Sequence, residues 1–93
     1  MTDTQLTRPD EAIALRLIQT IRADAEAVCA PDQVDLVSVT FDVAAAGAEP
    51  SNLTYKPRID RKTRTILFTG GSAEGAKGTV MTATAVYRIT PQA

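Results

Sequence analysis

The chain has 93 residues, 44% of them hydrophobic, enough for one domain spanning residues 1–93. Its formal net charge of −1 hides an asymmetry: residues 1–49 carry nine acids and three bases, and residues 50–93 carry seven bases and two acids. No run approaches the roughly 20 apolar residues of a membrane span, and the absence of histidine with a single cysteine excludes histidine-based catalysis and an internal disulfide. The opening "MTDTQLTRPDE" is polar and acidic, without the cationic start and apolar core of a secretion signal. A cytoplasmic protein with a flexible N-terminus over residues 1–9 is expected. The "NLT" at Asn52 matches a glycosylation sequon, but without a secretion signal it carries no weight.

Residues 10–30 read as one helix. Ile13, Leu17, Ile21, Ala25 and Val28 recur at three- and four-residue steps, and Ala14 and Ile18 widen the stripe. Arg16, Gln19, Arg22 and Glu26 point elsewhere. Pro9 suits the first turn because it needs no donor there, and Asp10 and Glu11 favour the positive end of the helix dipole. Pro31 ends the helix.

The period then becomes two. In "QVDLVSVTFDV", Val37, Val39, Phe41 and Val43 share one face, and Ser38, Thr40 and Asp42 the other. The "AAAGAEPSN" stretch is a connection. In "LTYKPRI", Leu53, Tyr55, Pro57 and Ile59 oppose Thr54, Lys56 and Arg58, with Pro57 unable to donate to a ladder. A turn at "DRKT" leads into "RTILF". Ile59 opposite Arg64, Pro57 opposite Ile66 and Tyr55 opposite Phe68 would superimpose the two apolar faces. Finally "TVMTATAVYRI" places Met81, Ala83, Ala85, Tyr87 and Ile89 on one side. The expected fold is α+β, one long N-terminal helix packed on a four-stranded antiparallel sheet.

The segment "FTGGSAEGAKGT" has the composition of a phosphate-cradling loop. A P-loop, however, follows a strand and opens a helix, and its second glycine precedes a lysine. Here a strand pattern follows, and Ala76 stands after Gly75. The segment therefore reads as a flexible hairpin connection in which Gly70, Gly71, Gly75 and Gly78 supply backbone freedom and Lys77 has no ligand.

The helix, "VDLVSVTFDV", the proline-containing connection, "SNLTYKPRIDRKTRTILF" and the closing "GTVMTATAVYRI" together resemble the hot-dog fold. The likeness is to acyl-CoA thioesterases of the phenylacetate-pathway type, and it covers roughly residues 10–90. Ser51, Asn52 and Leu53 stand where the family has a Gly-Asp-Leu-like start. Arg61, Lys62 and Arg64 stand at its basic turn, and Tyr87, Arg88 and Ile89 at its closing triplet. The chain departs from the family in lacking a first strand and in having Asp10, Glu11 and Ala12 where members carry His-Gly-Gly. The resemblance implies action on, or binding of, acyl-CoA. It further implies a catalytic acid or threonine on the helix, with Thr20 and Asp24 the nearest matches and Glu11 further off.

Asp24 is the leading candidate as a carboxylate that activates water beside a thioester carbonyl. It sits beside the apolar stripe, whereas Glu26, about 200° away around the helix, is expected to face water. The plainer reading of Asp24 is an exposed acid pairing with Arg22 or Thr20. Glu11 is explained by the helix dipole and Thr20 by packing. Arg58, Arg61, Lys62 and Arg64 are candidates for holding coenzyme A phosphates by charge and forked hydrogen bonds, against a solvated hairpin that keeps a strand edge soluble. Cys29 reads as a buried structural residue. No cluster has metal-ligand spacing, no cofactor beyond the coenzyme A of a ligand is implied, and the acidic first half and 4% aromatic content argue against nucleic acid. Two functions remain: a slow thioesterase, or a non-catalytic module that binds an acyl or coenzyme A ligand or only dimerises. Strands this long suit a homodimer or a dimer of dimers.

Overall fold

Pro9–Cys29 form α1, with Pro9 in the first turn beside Asp10 and Glu11. The computed structural model describes residues 8–92, so most of the expected flexible N-terminus lies outside the described residues. Ile13, Leu17, Ile21, Ala25 and Cys29 are buried along one side of the helix. Four-residue steps drift by about 40° each around a helix of 3.6 residues per turn. The buried stripe therefore ends on Cys29, and Val28, expected within it, is exposed. Among the described residues no helix is long and apolar enough to cross a membrane.

Four antiparallel strands follow: β1 (Gln33–Val43), β2 (Thr54–Lys62), β3 (Ile66–Gly75) and β4 (Gly78–Thr90). Their order across the sheet is β1-β4-β3-β2, so β4 and β3 are central and β1 and β2 are edges. One short 3-10 turn, Pro50–Asn52, interrupts the β1–β2 connection. The helix packs on one face of the sheet, giving the expected α+β arrangement. The alternation in β4 falls as the sequence predicts, with Met81, Ala83, Ala85, Tyr87 and Ile89 all buried. Val34, Leu36, Val39, Phe41 and Val43 of β1 stand opposite these five in reverse order. A bulge between Leu36 and Ser38 takes Val37 out of the alternation, contrary to the simple two-residue reading.

Two expectations about the second half are corrected. The "DRKT" register is overturned: Ile59 pairs with Thr69, Pro57 with Gly71 and Tyr55 with Ala73. β2 continues through Lys62, and the turn is residues 63–65, held by the Thr63 hydroxyl. That hydroxyl accepts from the Ile66 N–H at 3.0 Å and donates to the Ile66 carbonyl at 3.1 Å. A bulge between Ile59 and Arg61 carries the extra residue. The glycine segment is also mostly strand. Residues 66–75 form β3, and only the tight β3–β4 turn near Ala76 and Lys77 is connection.

Gly70 and Gly71 sit in this central strand because both faces are crowded. A Cβ on Gly71 would lie 2.8 Å from the Lys56 carbonyl oxygen and 3.1 Å from Ile21 of the helix. On the opposite face, a Cβ on Gly70 would lie 2.6 Å from the Arg58 guanidinium, which rests across the strand there. Beneath the helix, the buried Thr69 hydroxyl donates to the Arg58 carbonyl, so burying it leaves no orphan polar group.

Gly71→Ala should destabilise the fold by about 1–3 kcal/mol, the usual cost of forcing an extra carbon into a close contact. Urea denaturation measures this; an unchanged midpoint would remove the close-approach account of Gly71.

Candidate functional site

β1 is an edge strand, and the flank of α1 nearest to it is open. Between them runs a groove of about 470 Å³. Its apolar surface comes from Leu15 and Ile18 of the helix with Val34 and Leu36 of β1. Leu15 is 56% exposed and Leu36 49% exposed, an unusual cost for large aliphatic side chains on a small domain. Polar groups converge on the same space. Gln19, Arg22 and Glu26 follow one another at three- and four-residue steps and so share one helix flank. Asp35 and Tyr87 complete the lining from the sheet.

Tyr87 links this groove to the core. Its ring is buried under α1 while its residue still borders the groove. Burial pushes the phenol above its ordinary value, with Arg22 pulling it down and Glu26 pushing it up by smaller amounts. Apolar walls, a guanidinium, an amide, two carboxylates and a phenol suit a ligand with an apolar part and a polar carbonyl-bearing part.

The candidates from the sequence are distributed around the molecule. Asp24 is half-buried and lies outside the groove. It follows Arg16 and Thr20 at four-residue steps along the other flank, where Arg16 reaches the Pro50 carbonyl at 3.5 Å. Glu26, expected to face only water, is the helix carboxylate that lines the groove. Thr20 donates to the Arg16 carbonyl at 2.9 Å, a local helical bond. At the start of α1 the Glu11 N–H donates to Asp10 Oδ1 at 2.8 Å and the Ala12 N–H to the Arg8 carbonyl at 2.9 Å. Burial raises the Cys29 thiol, consistent with a structural side chain in the core.

The basic residues do not converge. The bulge in β2 sets Arg58 and Arg61 opposite Gly70 and Phe68, on the sheet face away from the helix, and Lys62 opposite the buried Leu67. Arg58 pairs with Asp60 at 2.9 Å and Lys56 with Glu74 at 3.1 Å. Bonds from the Ser72 hydroxyl and the Lys56 ammonium hold the Glu74 carboxyl below its ordinary value. Arg61, Lys62 and Arg64 make no ion pair among the described residues. Leu36, Tyr87, Leu67 and Lys62 form one row across the sheet, so Lys62 stands three strand spacings, about 14 Å, from Leu36. Lys77, read as idle in its turn, borders a separate cavity of about 480 Å³. Among the described residues no group of three or more histidine, cysteine or acidic side chains is placed to hold a metal ion.

Sequence periodicity had placed Gln19, Arg22 and Glu26 only as polar directions on a helix. Their meeting with Leu36 depends on β1 being an edge, which strand order alone decides.

No protein-family model and no curated protein matches the sequence. Among solved structures the fold is similar to that of AziG from S. sahachiroi, with a TM-score of 0.75 and 17% sequence identity. The likeness covers 84% of this chain and 65% of AziG, less than two thirds of that protein's length. At that identity it shows the fold alone.

Because the folded state favours the neutral Tyr87 phenol, the unfolded chain ionises first as the pH rises. The stabilisation is fully present below the ordinary phenol value of about 10 and is lost as pH climbs through the raised native value. Urea midpoints should fall between pH 9 and pH 11, and by less in Tyr87→Phe. Equal falls in the two proteins would show that Tyr87 is not the titrating group.

Proposed function

We propose that the chain is a hot-dog-like module that binds an acyl thioester such as acyl-CoA in a groove completed by a second copy, with little or no hydrolysis. The observation that carries this reading is that the α1–β1 groove, with its mixed apolar and polar lining, opens onto the unpaired edge of β1. Pairing the β1 edges of two copies would satisfy the free ladder groups and cover Leu36 and Val37, and it would place two grooves beside the shared seam. The acyl group then lies on Leu15, Ile18 and Leu36, and the thioester carbonyl meets Gln19 and Arg22. The coenzyme A arm passes the end of α1 towards Lys62 and Arg64, whose charges suit its phosphates.

Slow chemistry follows from what the groove and the helix start offer. Of the two carboxylates on the groove, Asp35 and Glu26, Glu26 is the one on the helix and the candidate to activate water. Hydrolysis also needs donors aimed at the developing oxyanion, commonly worth a hundredfold or more in rate. The N–H groups of Glu11 and Ala12 are already engaged at the start of α1, and the Asp10 carboxylate there would repel an oxyanion. Binding without turnover is therefore favoured over catalysis.

Sedimentation should find a dimer for the parent and a monomer for Leu36→Lys, whose charge would be trapped in the seam. Calorimetry with hexanoyl-CoA should show Arg22→Ala weakening binding about tenfold, the scale of one charge-assisted hydrogen bond. Neutralising Lys62 and Arg64 together should flatten the salt dependence of that binding. Any hydrolysis should stay well below about 1 per second and vanish in Glu26→Gln while persisting in Asp24→Asn. A monomeric parent that binds no hexanoyl-CoA would refute the reading, and fast hydrolysis would refute the non-catalytic part of it.

A further inference from the structure

The connection of residues 44–53 passes over the end of the sheet beside the start of α1, and two cavities lie along it. One, of about 260 Å³, touches Pro9, Ile13, Val43 and Met81. The other, of about 480 Å³, touches Asn52, Leu53 and the β3–β4 turn. Residues 45–48 and Val80 line both, so the two cavities adjoin along one wall of small side chains. Taken as one crevice, they lie on a part of the molecule distinct from the α1–β1 groove.

The charges at its two ends differ. At the helix end, Arg8 is bridged to Asp10 at 3.4 Å. At the turn end, Lys77 makes no ion pair or side-chain hydrogen bond among the described residues, although it lines the cavity. Glu49 lines the same end and is the one acid there. An apolar channel with an unpaired ammonium at its mouth fits a molecule that is hydrocarbon along its length and anionic at one end. We infer that this crevice is a second binding site, for a slender aliphatic carboxylate. Its chain lies along residues 45–48 against Val80 and Ile13, and its carboxylate rests at Lys77. The inference goes beyond the acyl-thioester reading and does not depend on it. Two features select the ligand: each buried methylene strengthens binding by about fourfold, and Lys77 fixes the direction of the chain.

Octanoate and octanol, titrated separately into the full-length protein and followed by amide NMR, form the test. Octanoate should move the Gly47, Gly78 and Val80 signals saturably and leave those of Leu36 and Tyr87 in place. Hexanoate should bind more weakly by about fourfold per methylene removed. Lys77→Ala should weaken octanoate about fivefold, the scale of one partly exposed ion pair, and Glu49→Gln should strengthen it. Octanol should be indifferent to both changes. These opposite signs separate a direct charge contact from a general loosening of the turn. Absence of saturable shifts, shifts confined to the groove, or equal octanoate affinity in all three proteins would overturn the inference. Loss of octanol binding in Lys77→Ala equal to that of octanoate would overturn it too.

Discussion

The fold depends on how closely one helix lies on one sheet. Ile21 comes down on Gly71, and the middle of the sheet beneath the stripe is made of small side chains, Ala83 and Ala85 on β4 and Ala73 on β3. Larger residues stand towards the ends, with Met81 at one and Tyr87, Leu67 and Ile89 at the other. The sheet thus offers a shallow trough, and α1 settles into it at a separation that larger central residues would not allow. Interior contacts weaken quickly with distance, so this closeness is where a small domain obtains much of its cohesion. It explains why a strand carrying two adjacent glycines, intrinsically weak as a strand, is placed in the centre and paired on both sides.

One helix cannot cover the full width of four strands. The remainder of the helix-facing surface is where the groove forms, and the amphipathic character of α1 gives that groove its mixed chemistry. Arg22 and Glu26 are ordinary surface residues on a helical wheel. They matter because β1 rises beside them with Val34 and Leu36 and no fifth strand beyond. Tyr87 belongs both to the packing beneath α1 and to the groove wall.

The helix and the closing strand were legible in the sequence because both carry an unbroken period: Ile13, Leu17 and Ile21 in one, and Met81 through Ile89 in the other. The β2–β3 hairpin was not. Matching apolar faces gave a self-consistent register, but a match of faces is satisfied by any shift of two residues. The bulge at Asp60 and the turn built on the Thr63 hydroxyl selected a different one. Glycine composition misled in a related way. Gly70 and Gly71 look like loop residues until the neighbours that leave no room for a side chain, Ile21 and Arg58, are in place. That Glu26 and not Asp24 borders the open flank of α1 is a property of strand order, invisible to periodicity. The overall pattern of one helix followed by four strands was legible; the placement of its charges was not.

The two rims of the sheet are built differently. β2 carries Pro57, which has no N–H to offer, together with Lys56, Arg58 and a bulge at Asp60. β1 has aliphatic side chains beside its ladder and only the irregularity at Val37. Such a molecule has one adhesive rim and one inert rim. Were two β1 rims to join, only β2 rims would face outward, so such an association would stop at two copies instead of propagating into a ribbon. Restoring an amide at position 57 would give the β2 rim a donor it now lacks and open it to the same strand pairing.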